Sequence, residues 1–422
     1  MIQTIALLPG VTLRVFPAER FKQGCLSLQF LRPMCKEEAA LNAIIPAVLL
    51  RGTTAHPDLR SITLRLDDLY GASVGALVRR AGDYQTVGLY SSFIEDRYAM
   101  PGDRVLEPML DFLEELMLDP IREGEGFSRE FVESEKRNLI ATIESERNDK
   151  RAYTAAQMLK RMCAGDSYGV PRLGECAQVE QIDADNAWAH YQKVLRHSPV
   201  EVFYVGNGDP EIVAQKLRRL FGRIDRAPEA LPEQTPFRDG GCGGDYTEAM
   251  EISQGKLSMG FVTPIFNKSK EFAAMQVLNT VFGAGMTSKL FMNVREKMSL
   301  CYSIGSGYYG TKGIMTVSAG IDCDKEPVVR AEILHQMEAC CAGQITAEEL
   351  AAGKEAILSG LRGVHDSPGS IEGYETVAAI SGLPLTVEQY YRAVEAVTVD
   401  AVAAAARTVR LHTTYFLKGV DA

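Results

Sequence analysis

Histidine is the side chain best suited to bind a metal or move a proton near neutral pH, and the chain contains six histidines. His190 and His197 lie seven residues apart, hence on one face of a helix, but no acidic residue nearby has the spacing of a third metal ligand. His365 is followed directly by Asp366 and Ser367, whereas a serine triad assembles from separate positions. The histidine pattern therefore predicts packing or surface roles.

Two further segments have compositions that could bind ligands. FGAGMTS, Phe282–Ser288, has only two glycines, follows a predicted helix and lacks the lysine of a phosphate-binding loop. It favours a helix end followed by a new helix start. The acidic residues of EFVESEK and ESERNDKR alternate with bases at helical spacing, which is typical of a solvated helix face. A metal site built from Glu133, Glu144 and Glu146 is the less favoured alternative.

Composition excludes several classes of protein. The formal charge of −10 argues against nucleic-acid binding, and no apolar run approaches the ~20 residues of a membrane helix. The amino-terminal MIQTIALLPGVTLRV lacks a basic start and predicts a first strand, not a signal peptide. Nine cysteines without a C-x-x-C pair indicate a reduced, cytoplasmic protein with no disulfide framework and no cysteine-based zinc site.

The elements that must position any site occur twice. QGCLSLQFLRP, from Gln23, and QGKLSMGFVTP, from Gln254, share Gln, Gly, Leu, Ser, Phe and Pro at matching positions. In each half an alternating strand leads into an apolar helix, a second helix, two further alternating strands and long amphipathic helices. The sequence therefore predicts an α+β fold, a tandem duplication of two similar domains, each an antiparallel sheet covered by helices.

The predicted boundary between the two domains is the Pro- and Gly-rich segment RAPEALPEQTPFRDGGCGG. It divides the chain into an amino-terminal domain over 1–225, a linker over 226–244 and a carboxy-terminal domain over 245–422. Two similar domains joined by a long linker commonly pack to form a cleft, where ligands tend to bind.

The whole chain resembles the insulinase and pitrilysin zinc peptidases, which include the mitochondrial processing peptidase. The resemblance is carried by the duplicated strand, by the LLRGT turn at Leu49–Thr53, and above all by SKLFMNVREKMSLCYSIGSGYYGTKGIMTVSAGID at Ser288–Asp322. Within the family, the chain most resembles bacterial members that are paired with a zinc-bearing homologue.

Catalytic members of that family carry His-x-x-Glu-His on the first long helix, ahead of a turn that here is LLRGT. The two imidazoles bind zinc and the glutamate activates the metal-bound water, while a later helix supplies a third, glutamate ligand. The resemblance therefore implies a degenerate zinc site and no metal in this chain. The matching positions hold residues unsuited to these roles: Ala43, Pro46, Ala47 and Thr142.

The resemblance also implies a surviving part of the apparatus in the second half. Catalytic complexes use an Arg and a Tyr, seven residues apart, to hold the substrate backbone and polarise the scissile carbonyl; the matching residues are Arg295 and Tyr302. A guanidinium offers a fixed fork of donors, and a phenol can donate to a developing oxyanion. The alternative is that an Arg on a helix face and a Tyr starting a strand serve only packing.

These features predict a non-catalytic subunit of a two-subunit insulinase-type zinc peptidase. It would form a heterodimer with a homologous zinc-bearing subunit, help to bind peptide in a clamshell cleft, and show metallopeptidase activity only with that partner. Two alternatives remain open: a scaffold or interaction protein without a peptidase role, and an active metallopeptidase with relocated ligands.

Overall fold

The computed structural model describes residues 2–238 and 243–420. The chain divides into two compact units, of which the first comprises Met1–Glu144, Val170–Glu233 and His365–Thr376, and the second Ser145–Gly169, Gln234–Val364 and Val377–Ala422. The segment Ser145–Gly169 thus belongs to the unit built mainly from the second half of the chain. His365–Thr376 belongs to the unit built mainly from the first half.

The first unit contains a six-stranded sheet of order β1-β2-β8-β3-β5-β4 and a short hairpin, β6 and β7. All neighbouring strands of the sheet are antiparallel except β2 and β8, which are parallel. The strands are β1 (Gln3–Leu8), β2 (Val11–Pro17), β3 (Gln23–Pro33), β4 (Ser73–Ala81), β5 (Tyr84–Ile94), β6 (Arg122–Glu123), β7 (Gly126–Phe127) and β8 (Val200–Gly206).

Successive side chains of a strand point to opposite faces of the sheet, so alternate apolar residues share one face. Helices cover that face. Leu26, Leu28 and Phe30 of β3 are buried in one core with apolar residues of α1, α3, α7 and α8. The helices of this part of the chain are α1 (Lys36–Leu49), α2 (Leu59–Asp68), α3 (Leu106–Leu118), α4 (Arg129–Glu146), α5 (Lys150–Met162), α6 (Cys176–Glu180), α7 (Ala184–His197) and α8 (Pro210–Gly222).

The amino terminus forms two strands where the sequence predicted one. Strands β1 and β2 pair antiparallel around a turn at Pro9 and Gly10. Gly10 has φ +69°, a conformation that glycine adopts without a Cβ penalty. The prediction of a single strand did not use the Pro-Gly pair, which is itself a turn signal.

The second unit repeats the arrangement with five strands in the order β11-β12-β10-β13-β9. Read from the other edge, this order matches β2-β8-β3-β5-β4 strand for strand, and β13 and β9 form the one parallel pair. The structure confirms the duplicated α+β fold with antiparallel-rich sheets. The strands are β9 (Gly244–Met250), β10 (Gly255–Val262), β11 (Ser303–Tyr309), β12 (Ile314–Ile321) and β13 (Arg410–Gly419).

Helix α5 packs on the sheet of this second unit. A Cβ added to Gly260 of β10 would lie 2.6 Å from the sulfur of Met158 and 2.5 Å from that of Met162, so a larger residue there would displace these two side chains. The remaining helices are α9 (Phe272–Phe282), a π-helix (Leu290–Lys297), α10 (Glu326–Cys341), α11 (Ala347–Gly363), α12 (Pro368–Ser381), α13 (Val387–Glu395) and α14 (Val399–Ala406).

Two apolar helices, α1 and α9, are short and buried. Helix α1 has 14 residues and α9 has 11, and most side chains of both are buried. A bilayer span needs about 20 apolar residues. Across residues 2–238 and 243–420, no helix combines the length and apolar character needed to cross a membrane.

Candidate functional site

Helix α1 carries the positions at which the resemblance implies zinc ligands, and their side chains are apolar. Ala43 and Pro46 are buried and Ala47 is half-buried. Pro46 and Leu49 line a void of about 10 Å³, closed by apolar side chains of β3, β5 and α7. Two methyl groups and a pyrrolidine ring offer no lone pair to a metal. These positions therefore do not fit a zinc ion.

The fourth predicted position lies on helix α4. Thr142 is exposed, and its hydroxyl donates to the backbone carbonyl of Asn138 at 2.8 Å. This is the i to i−4 bond that threonine commonly makes within a helix. In the part of the chain that the structure describes, no group of three or more His, Cys, Asp or Glu side chains is arranged to hold a metal ion.

A buried polar network, which sequence reasoning missed, lies beside α1. The Asn42 amide donates to Gln85 Oε1 at 2.9 Å, and His190 Nε2 lies 2.8 Å from Asn42 Oδ1. Because a carbonyl oxygen accepts, His190 carries its proton on Nε2. Burial lowers the pKa of His190 to about 4 from 6.5, with the charges of Arg32 and Lys193 acting in the same direction and Glu38 against them.

This network predicts loss of stability in mild acid. The depressed pKa of His190 means that the unfolded chain binds a proton between pH 6.5 and about 4 while the folded chain does not. The His190 contribution is therefore fully present above pH 6.5 and declines as pH falls to 4, by up to ~1.4 kcal/mol per pH unit. Urea unfolding across this range should show a smaller pH slope for His190→Gln than for wild type; equal slopes would contradict the assignment.

The LLRGT turn after α1 is fixed by close packing and polar contacts. A Cβ on Gly52 would lie 2.7 Å from the Pro57 carbonyl oxygen, so the turn requires glycine. The Thr53 hydroxyl donates to Glu115, and His56 Nδ1 lies 2.7 Å from the same carboxylate. The turn thus retains a structural role in a chain whose preceding helix carries no metal ligands.

Arg295 lies on the π-helix Leu290–Lys297, where the sequence predicted a helix of unspecified type. The wider turn is shown by the Met298 N–H, which donates to the Asn293 carbonyl five residues back at 3.0 Å. The Arg295 side chain is 40% exposed, and its guanidinium carbon lies 4.6 Å from the centre of the Phe291 ring. Helical turns of this rare kind occur frequently at functional sites.

Few groups compete for the Arg295 guanidinium. Its ion-pair partner among the described residues is Glu296, whose carboxylate oxygen is 3.6 Å away, beyond hydrogen-bond distance. Stacking on Phe291 holds the planar group without using its N–H donors. The side chain can therefore present a fork of donors to an incoming carbonyl or carboxylate.

Tyr302 lies immediately before the edge strand β11 and is 60% exposed. Its hydroxyl donates to Asp322 Oδ1 at 2.8 Å, and this hydrogen bond raises the pKa of the phenol. Lys325 lies 2.7 Å from Asp322 Oδ2 and, together with the tyrosine, lowers the pKa of that carboxyl. The phenol is thus a protonated donor oriented by a charged acceptor.

Sequence reasoning missed Asp322 as the partner of Tyr302. The hairpin register pairs Ser303 with Gly320, which places Tyr302 opposite Ile321, one residue before Asp322. Strand pairing therefore brings the two residues into one neighbourhood, but the contact itself depends on the directions of their side chains.

A short connection brings the arginine and the tyrosine into one region of the second unit. Ser299 ends the helical turn with φ +52°, uncommon for a residue other than glycine, and its N–H donates to the Arg295 carbonyl at 3.1 Å. Burial raises the pKa of the Cys301 thiol to about 11, and the positive charge of Arg295 opposes that shift. Arg295 is therefore electrostatically close to the residue that precedes Tyr302.

The class of protein follows from the two repeated units: a duplicated α+β fold of the insulinase type, in which residues without ligating groups occupy the positions matched to the zinc ligands. The family model "Peptidase M16 inactive domain" matches residues 181–357. Over these residues the chain is similar to the inactive domain of M16 peptidases.

Relatives extend this result over the whole chain. It is 29% identical over 412 residues to the probable inactive metalloprotease YmfF of Bacillus subtilis strain 168, covering 98% of this chain and 96% of that protein. A conserved protein from Enterococcus faecalis V583 has a similar structure, with TM-score 0.92, 27% identity, and coverage of 99% and 98%. A peptidase M16 inactive domain from Pseudomonas fluorescens shares the fold, with TM-score 0.81, 18% identity, and coverage of 99% and 98%.

Proposed function

We propose that this chain is the non-catalytic subunit of a two-subunit M16-type zinc peptidase. It supplies Arg295 and Tyr302 to a peptide held at the zinc of a homologous partner subunit. One observation carries the proposal: α1 presents packing residues where ligands would lie, whereas the matched arginine is half-exposed, with a guanidinium that makes no hydrogen bond among the described residues. The similarity to a probable inactive metalloprotease supports it.

The two side chains have separate tasks. Arg295 binds a backbone carbonyl of the peptide through its donor fork and stabilises negative charge that develops on oxygen. Tyr302 donates its phenolic proton in a hydrogen bond to a peptide oxygen in place of Asp322. Lys325 remains beside Asp322 during this exchange, so the released carboxylate keeps a partner.

The surroundings of Pro46 indicate that one substitution at this position would not create a metal site on α1. A glutamate at this position would place a charge beside an apolar void, and burying an unpaired charge costs several kcal/mol. The catalytic zinc and its water-activating carboxylate therefore belong to the partner in this proposal.

The deciding experiment is elemental analysis of zinc in this chain purified alone, near neutral pH and without chelator. We expect a value near zero. The chain is then co-expressed with a homologue that has an intact His-x-x-Glu-His motif, and the pair should co-purify with about one zinc ion and cleave peptides.

Two results would reject the proposal. Stoichiometric zinc in the isolated chain, lost in a Glu144→Ala variant, would establish a relocated metal site and an active metallopeptidase. A stable pair whose peptide turnover equals that of the zinc-bearing homologue alone would support the scaffold alternative.

A further inference from the structure

A second cavity, in the first unit, has no part in the proposed peptidase function. It measures about 410 Å³ and opens where β5 and β8 end and where α3 and α8 begin. Its lining includes Glu95, Asn207, Arg104, Leu106 and Ile212. This volume is within the ~300–1,000 Å³ of typical small-molecule sites.

Glu95 is a buried acid with one carboxylate oxygen that accepts no hydrogen bond within the described chain. The residue is 3% exposed, and its Oε1 atom has no hydrogen-bond partner within the described chain. A Cβ added to either Gly24 or Gly206 would lie 2.3 Å from this oxygen, so two glycines form the cradle in which the carboxyl lies. Buried carboxylate oxygens in native proteins are almost always paired.

The surroundings of Glu95 hold the group in place without satisfying Oε1. Burial raises the pKa of Glu95 and the charge of Asp96 adds to this shift. The backbone N–H of Asn207, the charge of Arg97 and the hydroxyl of Tyr204 act against it without cancelling it. A positively charged donor at Oε1 would stabilise the ionised carboxylate and so offset the cost of its burial.

Asn207 provides a matching donor and acceptor. Its side-chain Nδ2 and Oδ1 are both buried, and neither has a hydrogen-bond partner in the ranges that the structure describes. An amide offers N–H donors and a carbonyl acceptor side by side. The residues that line the cavity thus carry two unpaired acceptors, Glu95 Oε1 and Asn207 Oδ1, and one unpaired donor group, all buried in its wall.

Of the other charged groups that line the cavity, Arg97 donates to the backbone carbonyls of Glu19 and Phe21, and a carboxylate oxygen of Glu107 lies 3.7 Å from Lys216 Nζ. Asp96 accepts from the backbone N–H groups of Val105 and Leu106, and Asp209 accepts from that of Glu211, so both acids cap helices. Arg104 is 70% exposed and lies 3.6 Å from Asp96. Its guanidinium therefore remains available at the rim.

We propose that this cavity binds a free α-amino acid, through its α-ammonium group and the neighbouring carboxylate. The ammonium donates to Glu95 Oε1 and Asn207 Oδ1. The ligand's carboxyl oxygens accept from Asn207 Nδ2 and Arg104. An aliphatic side chain packs against Leu106 and Ile212. The amino terminus of a short peptide offers the same ammonium and carbonyl, and the experiment distinguishes the two sources.

The test is isothermal titration calorimetry of the full chain with three probes. L-Leucine carries both groups, L-leucinamide replaces the carboxylate with the amide of a peptide amino terminus, and N-acetyl-L-leucine lacks the ammonium. We expect saturable binding of L-leucine and none of N-acetyl-L-leucine. Tighter binding of L-leucinamide than of L-leucine would identify a peptide amino terminus as the source.

Variants locate the binding. Glu95→Gln keeps the shape of the side chain and removes the charge, so it should weaken L-leucine binding at least about tenfold. Asn207→Ser, in a half-buried loop, should have a similar effect and provides a second test if Glu95→Gln does not fold. Asp111→Asn, at an exposed position of α3 that pairs with Lys216, is the matched control and should bind as wild type does.

Three outcomes would overturn the inference: no saturable binding of L-leucine or L-leucinamide, meaning that the cavity holds only water; equal binding of N-acetyl-L-leucine; or unchanged affinity in a folded Glu95→Gln or Asn207→Ser variant. None of these results bears on zinc content or peptide turnover. Failure here is therefore separable from failure of the peptidase proposal.

Discussion

Replacing Arg295 with alanine is expected to lower peptide turnover of the assembled pair by about 10²-fold while leaving each chain folded. The physical reason is that a preorganised donor for a developing oxyanion typically contributes 10²–10³ in rate. Because the side chain is 40% exposed and contributes only a stacking contact and a weak ion pair to the fold, its removal should cost little stability. Steady-state kinetics on the reconstituted pair, with thermal unfolding of the variant, provide the measurement.

Arg330→Ala is the control for a non-specific effect of charge. Arg330 is also a partly exposed arginine of the second unit, but it pairs at 2.8 Å with Asp245 of β9, which lies at the opposite edge of the sheet from β11. Its removal should leave turnover unchanged. If Arg295→Ala and Arg330→Ala gave the same turnover as wild type, the contribution of Arg295 to the partner's active site would be disproved.

Replacing Glu372 with alanine should produce the largest loss of stability, about 3–5 kcal/mol, because it removes one partner of a buried, hydrogen-bonded ion pair. Glu372, on α12, is 1% exposed and lies on the face of the first sheet opposite the core helices. Its Oε1 accepts from Ser27, Gln29 and Thr376 at 2.7, 3.0 and 3.0 Å. Arg79 donates to the same atom at 2.9 Å.

The expected value lies near the lower end of that range, because Arg79 is 39% exposed and stays solvated after the change.

Chemical denaturation of the isolated chain measures the free energy of unfolding. Glu372→Gln, which keeps an acceptor oxygen, should lose less. Asp111→Ala, which breaks an exposed ion pair with Lys216, should change stability by less than about 1 kcal/mol. A similar, small loss for Glu372→Ala and Asp111→Ala would show that the buried network contributes little.

Most strands of the two sheets were predictable from the chain. The repeated strands from Gln23 and Gln254 lie at equivalent positions of the two sheets, as β3 and β10, because period-2 alternation specifies a strand and its buried face. The alternating segments assigned to β4, β5, β11 and β12 are also strands. Such patterns are local, and a few neighbouring residues are enough to show them.

Other features depended on contacts between residues distant in the chain. No local signal connects Glu372 with Ser27, more than three hundred positions earlier, or places α5 on the second sheet. The empty hydrogen-bonding positions of Glu95 and Asn207 likewise arise where strand and helix ends meet. Helical periodicity predicts a helix around Arg295 but does not distinguish an α-helical from a π-helical turn, which differ in one residue of hydrogen-bond spacing.

The sequence by itself determined the duplicated architecture, the residues without ligating groups at Ala43, Pro46 and Ala47, and the spacing of Arg295 and Tyr302. These are properties of residue type and local order. Only the tertiary structure decided which segments exchange between units, that Asp322 holds the tyrosine hydroxyl, and that Glu95 lies unpaired in a glycine cradle. Those features depend on long-range packing. The sheets and the helices around them bring together, within hydrogen-bond distance, side chains that no local sequence pattern connects.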